Sequence, residues 1–359
     1  METAATQPSL PVALKALTFE QLQQRVVDLG LEPYRAAQIA DWVYRKRVDF
    51  DAMSNLPLAW RDQLRAAFQL TPVTEAAHQI SLQDGTRKFL LRFADGEAAE
   101  TVLMPRSGHA TVCVSSQVGC RFACKFCLTA RRGLVRDLAA DEIVQQVLHV
   151  RPYAGDLGLN IVFMGMGEPL DNFAAVVQAI RVLSSPELGM IGARRITVST
   201  TGLAAQIRAL AALDLRVRLA VSLNASDDAS RRVLMPVSAR DSLAETLSAA
   251  AEFAARTRHH VTLEYVLLQG VNDRPEDAVR LRRLGALPTP FKLNLIPFNP
   301  DPRLRYARPD AADVEAFRLA LRGSFRSVTV RWSQGLDIDA ACGQLFGRQE
   351  PPSRTLASS

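Results

Sequence analysis

Between residues 110 and 335 the chain alternates apolar, β-branched runs with longer amphipathic stretches, and this alternation restricts the fold more than any other feature. The runs are ATVCVSS, NIVFMGM, RRITVSTTG, VRLAVSLN, VTLEYVLLQG, FKLNLIPFN and SVTVRWSQG. Stretches with helical spacing of apolar residues lie between them, among them 138–151, 173–184, 241–257 and 310–322. Strands separated by helices pair in parallel, because a parallel neighbour is reached only through a long crossover. The pattern therefore predicts a β/α architecture, with an open doubly wound sheet and a complete or partial barrel both compatible. The chemically unusual residues gather where each predicted strand ends: GMGEP, then STTG, SLNAS, QGVND, PFNP and SQG. In a parallel barrel those ends share one face, and that face carries the active site. No G-x-G-x-x-G follows a strand, which argues against a dinucleotide site or an ordinary Rossmann methyltransferase.

The region before the alternation reads differently. TFEQLQQRVVDLG opens on a Thr18 N-cap and stops at Gly30, and PYRAAQIADWVYRKR and LPLAWRDQLRAAF repeat the helical periodicity. Asp84-Gly85 and Asp95-Gly96 then separate HQISLQ, RKFLLRF and AAETVLMP, a hairpin signal. The expected organisation is a helical accessory domain over 1–72, a β-hairpin extension over 73–105, a core over 106–345 and a flexible tail over 346–359. A chain of 359 residues buries a substantial core without disulfide staples. Five cysteines, an odd and low number, fit a reducing compartment better than secretion. The N-terminus carries Glu2 and no long apolar core, and no stretch has the ~18 apolar residues of a membrane span. A cytoplasmic location without a membrane partner is expected. The net charge of +6 favours polyanionic partners, although an arginine-rich solvated surface gives the same balance.

Four of the five cysteines fall in CVSSQVGCRFACKFC, residues 113–127. Cys120, Cys124 and Cys127 have C-x3-C-x2-C spacing in a turn-rich loop after the first core strand. Thiolates suit zinc or iron–sulfur clusters. A structural zinc wants four closed ligands, and the nearest histidine, His109, lies beyond a predicted strand. A four-iron cubane held by three cysteines would leave one iron open to a substrate or cofactor. Cys113 sits in an apolar run and Cys342 among small residues in AACGQL, so each read alone is a packing cysteine.

This cysteine spacing, with a glycine-rich loop bearing a glutamate after the second strand, resembles the radical S-adenosylmethionine (SAM) enzymes. The ordered set ETVLMP, CVSSQVGC, GMGEPL, RRITVSTTGL, SLNAS, VND, LNLIPFNP and DIDAACGQL resembles the RlmN/Cfr family of RNA adenine methyltransferases, and the helical N-terminal region leans toward the RlmN branch. The resemblance implies an α/β fold with a partial (β/α) barrel radical-SAM core, a small helical RNA-binding domain and a β meander. It implies one [4Fe-4S] cluster on Cys120, Cys124 and Cys127, and two SAM molecules per turnover. A SAM pocket is implied at Gly167, Glu168, Ser199, Ser222, Leu223, Asn224 and Asn299. The resemblance further implies that Cys342 becomes an S-methylcysteine, that Cys113 resolves the RNA adduct through a transient Cys113–Cys342 disulfide, and that Glu100 accepts a proton.

The implied substrates are an adenine of 23S ribosomal RNA near the peptidyl-transferase centre and an adenine in the anticodon loop of some transfer RNAs. Methylation falls on carbon 2, or on carbon 8 in the Cfr branch. The other partner implied is an electron donor such as flavodoxin or ferredoxin, and a monomer is expected. Arg121, Arg131, Arg132, Arg231, Arg303, Arg305 and Arg308 are candidates for phosphate contacts. Asn224, the Arg131–Arg132 pair and Gln334 depart from the commoner family pattern. A zinc-stabilised RNA-binding protein without catalysis is the rival reading.

Overall fold

The computed structural model describes residues 11–71, 73–237, 240–285, 289 and 291–346. All but the first residue of the expected tail lies outside these, as do the first ten residues. The helical lobe begins with β1 (Val12–Ala13) and α1 (Phe19–Asp28). Thr18 and Gln21 close a capping box at the start of α1, with Gln21 N donating to Thr18 Oγ1 at 3.3 Å and Thr18 N to Gln21 Oε1 at 2.9 Å. The helix ends before Gly30, whose φ of 76° suits a residue without a Cβ. α2 (Arg35–Ala40) continues into a π-helical turn, Asp41–Lys46. α3 (Leu58–Ala67) leads into β2 (Phe68–Gln69), which pairs in parallel with β1 and closes the lobe. Leu22, Val26, Ile39, Val43 and Leu64 form its buried face.

The antiparallel strands β3 (Thr74–Ile80), β4 (Arg87–Arg92) and β5 (Ala98–Arg106) follow, and β6 (His109–Cys113) pairs antiparallel with β5. The segment expected as a hairpin extension is thus hydrogen-bonded to the core within one sheet, Val102 lying opposite Cys113. The cause is visible in β5. Its residues from Ala98 to Met104 are all buried, so both edges and both faces of this strand need neighbours.

Between β6 and the parallel strands, β7 (Gln117–Gly119) and β8 (Leu134–Asp137) form a small antiparallel pair. They bracket the cysteine loop and α4 (Leu128–Arg132). α5 (Ala140–Val150) then crosses to β9 (Gly158–Phe163). The alternation proceeds through α6 (Phe173–Ser184), β10 (Ile196–Thr200), α7 (Ala204–Ala212) and β11 (Arg218–Ser222). It continues with α8 (Asp228–Leu234), α9 (Leu243–Thr257), β12 (Thr262–Leu267) and α10 (Pro275–Gly285). β13 (Lys292–Pro297), α11 (Ala311–Ala320) and β14 (Ser327–Val330) complete it. The ten-stranded sheet has the order β14-β13-β12-β11-β10-β9-β6-β5-β4-β3, parallel from β6 onward in the chain. This is a partial barrel. Among the described residues no helix is long and apolar enough to cross a membrane.

After β14 the chain forms a strap, residues 331–346, that crosses from one end of the sheet to the other. Gly335 N donates to Asp84 Oδ2 at 2.8 Å, and Leu82 N donates to Asp337 Oδ2 at 3.1 Å. Lys88 Nζ donates to Asp339 O at 3.2 Å, and Phe346 N donates to Glu100 Oε2 at 2.5 Å. Side chains of the antiparallel end thus hold the segment that closes the barrel mouth. Leu128 N donates to Gly343 O at 2.8 Å, so the helix after the cysteine loop grips the same strap.

The β7–β8 pair depends on Gly119. Its φ is 80°, and a Cβ there would stand 1.8 Å from Gly133 O. Gly96 has a similar φ of 88° but nothing within 4 Å of a Cβ. Gly119→Ala is expected to cost about 2 kcal/mol or more, against ~1 kcal/mol for Gly96→Ala, in urea unfolding midpoints.

Candidate active site

A cavity of about 150 Å³ opens at the carboxyl ends of the parallel strands. It collects residues from the cysteine loop, from the loops after β9, β10 and β11, from β12 and β13, and from the strap. Cys120, Cys124 and Cys127 all line it. The loop bearing them turns at Ala123, with φ 55°, and is tied down by Cys120 N donating to Gly133 O at 2.9 Å. Burial pushes the Cys120 thiol up to about 12 and Cys124 well above its ordinary value, and the neighbouring Cys127 and Glu168 add to both. Three thiols whose ionised forms oppose one another in a buried wall call for a soft cationic group. Among the described residues no three His, Cys, Asp or Glu side chains are grouped for a single ion. A cubane is broader and takes each thiolate on a different iron, so this donor set fits an iron–sulfur cluster.

The opposite wall carries most of the residues expected for SAM. Gly167 has φ 98°, and a Cβ there would stand 2.6 Å from Gln117 Cβ, so the GMGEP loop reaches this position only with glycine. Glu168 is 2% exposed and links two strand-end loops: Oε1 accepts from Leu170 N at 3.0 Å and Oε2 from Thr201 N at 2.7 Å. Burial raises its carboxyl above the usual range, and those amides offset part of the rise. Ser199, Ser222 and Asn224 also line the cavity, whereas Leu223 is fully buried and absent from its lining. Asn224 sits at φ 53°, a left-handed conformation that asparagine tolerates, and its Oδ1 accepts from Val266 N at 2.9 Å. Asn299 lines the cavity while gripping the strap: Nδ2 donates to Cys342 O at 3.0 Å and to Ser333 Oγ at 2.9 Å.

Cys342 lines this cavity and also a second one of about 40 Å³, where Cys113 is found. It is exposed to the cavity space yet surrounded by protein, so burial pushes its thiol up to about 11 while Arg331 pulls the other way. Cys113 is buried, and its thiol is pushed up to about 12 by burial and by Cys342. The two cysteines that local sequence assigns to packing therefore face each other across a common space. Glu100 lines neither cavity. It is buried on β5, with Lys88 Nζ 3.3 Å from Oε1 and the Phe346 amide on Oε2.

The expected phosphate-binding role of Arg231 is overturned by its place in the fold. Its side chain is fully buried and donates to Thr201 O at 2.5 Å and Asp241 O at 2.9 Å, bracing two loops behind the cavity. Arg132 pairs with Glu97 at 2.7 Å, Arg303 with Asp301 at 2.8 Å, and Arg121 with Asp171 at 2.7 Å. Arg308 donates to Phe298 O at 2.5 Å and to Asn299 Oδ1 at 3.1 Å. Arg131 and Arg305 are exposed. Sequence reasoning missed Glu264, which lines the cavity from β12, accepts from Asn294 Nδ2 at 2.9 Å and is raised by burial. Its signal was a lone carboxylate inside the apolar run VTLEYVLL.

These exposures set an order of reactivity. Brief alkylation of the native, cluster-free protein is expected to label Cys342 and spare Cys113, read by peptide mass spectrometry. With the Cys342 thiol pushed up to about 11, the labelling rate should climb about tenfold per pH unit from pH 7 to pH 10, because only the thiolate reacts.

Residues 114–282 match the family model of the Radical SAM superfamily, and residues 12–70 match the ribosomal RNA large subunit methyltransferase N-terminal domain. A probable dual-specificity RNA methyltransferase RlmN from Aquifex aeolicus is 44% identical over 333 residues, covering 91% of this chain and 95% of that protein. The dual-specificity RNA methyltransferase RlmN of Nitratiruptor is 42% identical over 346 residues, covering 92% and 96%. The crystal structure of a radical SAM methyltransferase from Sphaerobacter thermophilus superposes with a TM-score of 0.89 at 43% identity, over 94% of this chain and 100% of that one. With strand-end loops converging on three cavity thiols and relatives alike along nearly the whole chain, the protein belongs to the RlmN family of radical SAM methyltransferases.

Proposed function

We propose that the protein methylates carbon 2 of an adenine in 23S ribosomal RNA, and an adenine in the anticodon loop of some transfer RNAs. The observation that supports this most is the position of Cys342, in the wall between the cavity of the three thiols and the cavity of Cys113. Adenine carbon 2 lies between electron-withdrawing ring nitrogens and does not attack the methyl of SAM directly. A protein sulfur that first takes the methyl and then delivers it needs access both to SAM and to a second thiol.

Cys120, Cys124 and Cys127 would hold the [4Fe-4S] cluster, and the wall from Gly167 to Asn299 would hold SAM. When bound, the cluster and SAM supply one-electron cleavage of a SAM carbon–sulfur bond, the source of a hydrogen-abstracting radical. The Cys342 thiolate takes a methyl group by displacement at carbon. Asn299 fixes the Cys342 carbonyl, which orients the strap while the methylated sulfur faces the cavity. A hydrogen atom leaves the S-methyl group of Cys342, the resulting carbon radical bonds to the adenine ring, the adduct gives up one electron, and Glu100 accepts the ring proton. The Cys113 thiolate then attacks the Cys342 sulfur: the S–S bond forms, the S–C bond breaks, and the carbon takes up a proton to become methyl. External thiols reduce the Cys113–Cys342 disulfide before the next turnover. The target adenine leaves its stack to enter, at a cost of a few kcal/mol. An electron donor such as flavodoxin or ferredoxin would serve the reductive step.

Anaerobic reconstitution should give about four irons per chain, falling to near zero in Cys124→Ala, by iron and sulfide analysis. Protein that binds zinc alone and leaves SAM intact would sink the reading. Incubation of Cys113→Ala with RNA, reductant and SAM should accumulate an RNA–protein adduct at Cys342. With trideuteromethyl SAM, the RNA methyl should retain two of its three labels. Nucleoside mapping of the product should show methyl at carbon 2, and methyl at carbon 8 would instead assign the chain the Cfr chemistry.

A further inference from the structure

Arg331, just after β14, is not used by the reaction as set out above. Its amide N donates to Leu295 O at 2.8 Å, and Nη1 lies 3.6 Å from Met164 Sδ. The side chain lines the small cavity together with Cys113 and Cys342. The small cavity thus brings this guanidinium into the space shared by the two thiols. Cys113 is faced by Cys342 from the strap, by Arg331 from the end of β14, and by Arg106, exposed at the end of β5, across the same cavity. On the other side, Glu264 of β12 lines the larger cavity with Cys342. Cys342 opposes ionisation of Cys113, and Cys127 of the cysteine loop and then Glu264 oppose that of Cys342, whereas Arg331 favours the charged form of Cys113, Cys342 and Glu264.

We propose that Arg331 is the charge-positioning residue of the thiol pair, its guanidinium compensating the negative charge that the exchange carries between Cys113 and Cys342. This rests on the reading of Cys113 as the resolving thiol. Its proton leaves to solvent, and the resulting thiolate sits in a dry wall where an arginine, always ionised, is the counter-charge at hand.

The test needs neither RNA nor SAM. Full-length reconstituted enzyme is exposed to oxidised glutathione across pH 6–10, and the Cys113–Cys342 disulfide is followed by peptide mass spectrometry. Cys342 displaces one glutathione thiolate, and Cys113 then displaces the second from the mixed disulfide. In Arg331→Gln the pH profile is expected to move up by about one unit, with bridging about tenfold slower near neutral pH, whereas Arg331→Lys retains most of the rate. Arg331→Met takes its place should the Gln variant fail to fold. A profile unchanged in Arg331→Gln or Arg331→Met, or displaced equally in Arg331→Lys, overturns the inference and leaves the role of Cys113 standing. A wild-type pair that never bridges overturns both.

Discussion

The architecture rests on one constraint: a sheet of parallel strands that does not close on itself leaves its mouth open. In this protein the closure is made by backbone, not by strand pairing. The strap after β14 crosses the mouth and is received by Asp84, Lys88 and Glu100 from the antiparallel end of the sheet. That end therefore holds the strap in place. β5 contributes a buried carboxylate, β6 ends on Cys113, and the β3–β4 turn anchors the strap that carries Cys342. The same strap is held from the barrel side by Asn299 and from the cysteine loop by Leu128 N. Cys342 thus stands where three parts of the fold meet.

Burial then sets the chemistry. Cys113, Cys120, Cys124 and Cys342 are all pushed upward, chiefly by desolvation, because a thiolate loses its hydration in these walls. A site of this kind keeps its sulfurs protonated until a specific positive charge is supplied. A cluster would do so for the loop cysteines, and Arg331 opposes the rise at Cys113 and Cys342 without reversing it. Glu168 and Glu264 are carboxylates raised in the same way, each partly offset by hydrogen bonds. The polar groups of the cavity are thus largely committed to one another before any ligand arrives, which favours a pre-organised site over an adaptable one.

Much of this was legible in the chain. Apolar runs of strand length gave the parallel order. The residues after β9, β10, β11 and β13 converge on one cavity because parallel strands deliver their carboxyl ends to the same face, whereas QGVND after β12 lies outside its lining and Ser333 and Gln334 after β14 line the smaller cavity. The Thr18 cap and the Asp-Gly turns were read correctly from local rules alone. What was not legible has a tertiary origin. Arg231 looks like any surface arginine in ASRRVL, and only the packing of α8 against the loop at Thr201 shows it to be a brace. Leu223 turns its side chain into the core while Ser222 and Asn224 line the cavity, because successive residues at a strand end face opposite sides.

The sequence by itself determined the β/α alternation, the cysteine loop and the positions at which chemistry could be displayed, since these follow from periodicity and spacing over a few residues. The tertiary structure alone decided that Cys342, Cys113 and Arg331 line one cavity and that Glu100 is held by the far end of the strap. A segment following the last strand has no period to read. Its path is set by hydrogen bonds to residues far away in the chain, and those partners become neighbours only when the sheet has formed.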